Sequence, residues 1–108
     1  MEDAFAVLAD RTRRRILDEL RRGDRVVGEL VDQLGVAQPT VSKHLKVLRG
    51  AGLVTVRVEA QQRRYALAPD GLRPLDDWLE PYRRFWLNRF DDLGVHLDRT
   101  YQDKGEAG

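Results

Sequence analysis

Apolar residues recur at helical spacing through the first half of the chain, alternate briefly, then return to helical spacing. Residues 4–8 form a short apolar turn or helix. Ile16, Leu17 and Leu20 place a helix between Asp10, its N-cap candidate, and about residue 22, with Gly23 ending it. Val27, Leu30, Val31 and Leu34 predict the next helix over 26–34, closed by Gly35. Pro39 suits the first turn of a further helix over 38–51, where Val41, Leu45 and Leu48 fall at i, i+4 and i+7. After Gly52 the period drops to two. Val54, Val56 and Val58 alternate with Thr55, Arg57 and Glu59 as a half-buried strand, 60–62 turns the chain, and 63–68 returns with Tyr65 and Leu67 on one face. Pro69 and Gly71 punctuate before a long helix over about 72–101. Pro74 lies in its first turn, and Pro81 lies deeper, where it can kink the helix.

These elements predict a mainly α fold with a small β-hairpin: about five helices and a two-stranded wing, in the order helix, helix, helix, helix, strand, strand, helix. One domain is expected over residues 1–101, with 102–108 as a disordered tail. Leu75, Trp78, Leu79, Tyr82, Phe85, Trp86, Phe90, Leu93 and Leu97 make a broad stripe on the last helix, which holds both tryptophans. Packing on its own domain would cover that stripe. A small N-terminal core has little room for so many rings, which favours self-association.

The helix over 38–51 turns Lys43 and Lys46 away from its apolar stripe, with Thr40 and Ser42 flanking them. A helix anchored on one side and showing short polar and cationic groups on the other suits a DNA major groove, although an ordinary surface helix shares the pattern. Charge distribution adds weight. The net charge is only +1, yet residues 38–73 carry seven basic side chains against two acidic ones. Two strands directly after such a helix make a β-wing. Arg63 and Arg64 near its tip could reach phosphates or a minor groove, or stay solvated on a plain hairpin. Arg11, Arg13, Arg14 and Arg15 crowd the start of the second helix, where the dipole disfavours cations; phosphate contact and ion pairing both remain open there.

Several functions are excluded. The chain has no cysteine, hence no disulfide, thiolate metal site or thiol switch. No run of about 18 apolar residues is present to span a membrane, and Glu2 and Asp3 do not begin a signal peptide, so a cytoplasmic location is expected. An enzyme is not expected: no Ser/His/Asp or Cys/His set and no phosphate-binding glycine loop occurs, and only His44 and His96 could act as neutral-pH bases.

The segments LADRTRRRILDEL (8–20), GELVDQLGVAQPTVSKHLKVLRGAGLV (28–54) and RRYALAPDGL (63–72) resemble the ArsR-type winged-helix transcriptional regulators, over about residues 4–101. The resemblance implies a homodimer that binds a roughly palindromic operator on double-stranded DNA and usually represses transcription. It places DNA contacts on Gln38, Thr40, Ser42, Lys43, His44 and Lys46, to which the reading of the wing adds Arg63 and Arg64. His44 borders the apolar stripe, so a buried role competes with a phosphate contact. The family's dimer is commonly built from the first and last helices, which implies an interface of Phe5, Leu75, Trp78, Leu79, Tyr82, Phe85, Trp86, Phe90 and Leu93.

The departures from the family pattern narrow the effector. Cysteines that sense metals in many members are missing from residues 26–31. Asp91, Asp92, His96 and Asp98 sit on the last helix, where other members bind metal, but a solvated histidine beside acids is the plainer reading; no metal or cofactor is expected. Ala60 and Gln61 stand where a wing-tip glycine is common. A small molecule, a partner protein or no effector at all remains compatible with the sequence. The competing function is a winged helix that docks an acidic protein partner without reading DNA.

Overall fold

The computed structural model describes residues 3–105, with side chains described as far as Phe90. Asp3 caps α1 (Ala4–Val7) by accepting from the Ala6 N–H at 2.9 Å, and Asp10 caps α2 (Arg11–Arg22) by accepting from the Arg13 N–H at 3.1 Å. The arginine run at the head of α2 acts as a set of staples. Arg13 and Arg14 donate to the carbonyls of Val7 and Leu8 at the end of α1, and Arg15 donates to Leu34 at the end of the third helix. Cations thus meet carbonyls at two helix C-termini, which offsets their poor position at the start of α2.

Residues Arg25–Val26 form a two-residue strand, β1, ahead of α3 (Val27–Leu34). This strand is absent from the sequence reading, which expected a two-stranded wing and a helix beginning at Val26. Val26 is instead extended, and the Glu29 carboxylate turns back to accept its N–H at 2.9 Å. Gly35 then takes φ 65°, a left-handed conformation that lets the chain leave α3 and enter α4 (Gln38–Gly50) after three residues.

The hairpin follows as β2 (Val54–Glu59) and β3 (Gln62–Leu67), and β1 pairs with the other edge of β3, so the antiparallel sheet runs β1-β3-β2. Its turn is shorter than expected, only Ala60 and Gln61, with Ala60 at φ 54°. Val54 is buried and Val56 half-buried as the alternation requires. Val58, expected to continue that face, is 71 % exposed because the hairpin has by then risen past everything that could cover it.

Ile16, Leu17, Leu20, Leu30, Leu34, Val41, Leu45, Leu48, Leu53, Val54 and Tyr65 share one core with Ala4 and Val7 of α1. α2, α3 and α4 therefore contribute residues of the stripes their period predicts. The described residues divide after Leu75 into two compact units. The first is the helix–turn–helix and sheet. The second is the remainder of α5 (Arg73–Gly105), which starts one residue later than expected and continues through 102–105, the first part of the expected tail. Pro81 lies inside it, and Arg83 braces that stretch by pairing with the carboxylates of Asp76 and Glu80 and donating to the Asp76 carbonyl.

Candidate nucleic-acid interface

The buried stripe of α4 leaves about 200° of its circumference for other work. Lys43 points directly away from the core, flanked by Thr40 on one side and by Ser42 and Lys46 on the other, all exposed; Gln38 and Arg49 are exposed nearer the stripe. Lys43, Lys46 and Arg49 have no ion-pair or hydrogen-bond partner among the described residues. Arg49 was not among the sequence candidates. Its spacing from Ser42 and Lys46, at i, i+4 and i+7, marks it as part of their face.

That face borders a groove of about 450 Å³ lined by Ser42, Lys46 and Arg49 of α4, Val27 of α3, and Arg63 and Tyr65 of β3. Arg63 also reaches a second hollow with Gln38, Gln61 and Gln62. Arg63 sits opposite Val58 in the hairpin register and shares a face with Tyr65, so its side chain projects on the α4 side of the sheet. It has no partner among the described residues. Three unpaired cations from two elements thus flank one groove, a natural receptacle for phosphate oxygens.

Arg64 lies on the opposite face of the hairpin from Arg63. It is half-buried, with its guanidinium 2.9 Å from Glu59 and 3.8 Å from Glu29. Glu59 holds Arg57 as well, at 2.8 Å, and Arg57 reaches Asp24 at 3.2 Å. Arg57 and Arg64 are directly opposed across the strands, and the shared Glu59 offsets their repulsion. Both guanidinium hydrogen bonds, Arg57 first, pull the Glu59 carboxyl below its usual value. His44 is likewise engaged internally, its side chain 15 % exposed, accepting from Arg13 Nε at 3.2 Å.

Comparison with known proteins agrees with this architecture. The family described as "Bacterial regulatory protein, arsR family" matches residues 10–56, from α2 into β2. The HTH-type transcriptional regulator Rv2034 of Mycobacterium tuberculosis is 47 % identical over 100 residues, covering 93 % of this chain and 91 % of that protein. The transcriptional repressor SdpR of Bacillus subtilis is 30 % identical, covering 73 % and 88 %. The chain belongs to the ArsR family.

Among solved structures, a possible transcriptional regulator for arsenical resistance aligns with this ArsR-family chain at TM-score 0.69 and 34 % identity, covering 89 % and 97 % of the two chains. An ArsR family regulator designated RHA00566 aligns at 0.66 and 30 %, covering 76 % and 84 %. The protein is accordingly a DNA-binding transcriptional regulator of winged helix-turn-helix type.

No cluster of metal-ligating side chains occurs among the described residues of this ArsR-family chain. Asp91, Asp92, Leu93, His96, Leu97 and Asp98 lie outside the described side chains. No helix among the described residues is long and apolar enough to cross a membrane.

Proposed function

We propose that the chain acts as a homodimeric repressor that reads a roughly palindromic operator on double-stranded DNA. Two α4 helices would enter successive major grooves about 34 Å apart. The observation that carries this reading is the exposed face of α4. Lys43, Lys46 and Arg49 lack partners among the described residues, while Arg57 and Arg64, on the opposite face of the hairpin from Arg63, are neutralised by neighbouring acids.

Gln38, Thr40 and Lys43 carry base readout. An amide suits adenine, an ammonium suits guanine, and a threonine hydroxyl accepts or donates. Ser42, Lys46, Arg49 and Arg63 hold the sugar–phosphate backbone in the groove between α4 and β3. The homodimer reading draws support from the second unit, where Trp78 is 53 % and Phe85 56 % exposed and Tyr82, Trp86, Leu87 and Phe90 are exposed beside them. So many large apolar groups on one helix are costly in water until another surface covers them. Phe5, Leu75 and Leu79 complete the proposed interface, with Leu93 beyond the described side chains. Repression, as opposed to activation, is suggested by the relative named a transcriptional repressor.

Selection of duplexes from a random pool tests the DNA reading. The expected product is an inverted repeat with half-sites one helical turn apart. Recovery of no preferred sequence would contradict it.

A further inference from the structure

Apolar contacts fix how closely α4 sits against the core but constrain its roll only weakly, because burial is non-directional. Roll matters for reading. At the outer radius of a helix, about 5–6 Å, a 20° rotation displaces a side chain by about 2 Å, enough to break a bidentate contact with a base. Some directional contact must hold Lys43 and Thr40 in aim.

His44 provides one. It follows Lys43 on α4 and lies on the side of the helix turned toward α2, away from the groove shared with β3. Arg13 Nε donates to its Nδ1 at 3.2 Å, across 31 residues of sequence. A guanidinium can only donate, so Nδ1 is the acceptor and the neutral ring carries its proton on Nε2. Nε2 faces the Asp10 carboxylate at 4.0 Å. Asp10 is itself held by the Arg13 backbone N–H it caps, and Arg13 Nη1 reaches the Val7 carbonyl at 3.5 Å. One arginine on α2 therefore ties the end of α1 to the reading helix.

We propose that His44 is a positioning residue and not a DNA contact: Arg13 and His44 form a polar clamp that sets the roll of α4 against α2. This rests on the DNA-reading role of α4 proposed above. The clamp leaves the ring's one acceptor already used, and its remaining N–H directed at Asp10 and away from the exposed face.

The test measures affinity for the duplex that the wild-type chain selects, and for a scrambled duplex, at several salt concentrations. His44→Ala and Arg13→Ala are each expected to weaken binding to the selected duplex about tenfold, with the double variant no weaker than the weaker single. The salt slope of His44→Ala should equal that of wild type. His44→Asn, whose amide oxygen can occupy the Nδ1 position, should bind within about twofold of wild type. His44→Gln, which displaces the acceptor, should resemble alanine and decides the matter should the alanine variant prove unfolded by circular dichroism. Independent losses in the double variant, a slope reduced by about 0.9 in His44→Ala, or equal binding by the Asn and Gln variants would overturn the proposal. A wild-type chain that selects no duplex would instead overturn the DNA-reading role itself.

Discussion

Asp10 shows how one side chain serves two elements. Its carboxylate caps α2 and faces His44 on α4, and the Arg13 N–H holds its pKa below the ordinary value of 3.8, against the opposing effect of desolvation. A carboxyl with a depressed folded pKa stabilises the fold above its unfolded pKa, and that contribution disappears as pH falls through the folded value. Asp10→Asn keeps a capping oxygen but cannot ionise. Urea unfolding should therefore show wild type ahead of the variant near neutrality, with the gap closing below about pH 4. A gap independent of pH would contradict the assignment. Ala60 makes the reverse point, a residue at odds with its backbone. Left-handed φ costs a non-glycine about 1–2 kcal/mol, while glycine adds about 0.4–1 kcal/mol of unfolded-state entropy. Ala60→Gly should raise stability by up to about 1 kcal/mol, read as a higher urea midpoint with unchanged slope; a lower midpoint would count against strain at the wing tip.

At the scale of elements, the helical stripes were legible because period alone determines them: Ile16, Leu17, Leu20, Val41, Leu45 and Leu48 are all buried. β1 was not legible, since two residues have no period and its pairing partners lie some 40 positions away at Arg64 and Tyr65. Alternation correctly gave the face of Val58 but could not give how far the core extends beneath it. The same alternation separates Arg63 from Arg64, and applying it would have placed only Arg63 on the α4 side. His44 needed its distant partner Arg13 to be understood. Two predictions belong here. A Cβ on Gly71 would lie 2.7 Å from the Gly52 carbonyl oxygen and 2.9 Å from Leu53 Cα, so Gly71→Ala should destabilise the hairpin's return by about 1–3 kcal/mol in chemical unfolding. An unchanged midpoint would mean the backbone yields there. Lys46→Ala, Arg49→Ala and Arg63→Ala should each lower the salt slope of duplex binding by about 0.9 and weaken all sequences alike, whereas Lys43→Ala should chiefly erode selectivity. Sequence-dependent loss in Arg49→Ala would move it from the backbone set to the reading set.

For the whole molecule, positive charge and apolar surface are divided between the parts of the chain. Residues 38–73 hold the cationic excess on α4 and the wing, and most of the exposed rings line α5. A single copy presents one α4, and in the proposed dimer a second copy would cover the exposed rings of α5. The most direct measurement is sedimentation of the chain alone and with its selected duplex. The expected result is a species of twice 12.5 kDa that binds the inverted repeat as one dimer and loses affinity steeply with added salt. A 12.5 kDa particle that binds selected and scrambled duplexes equally would contradict it.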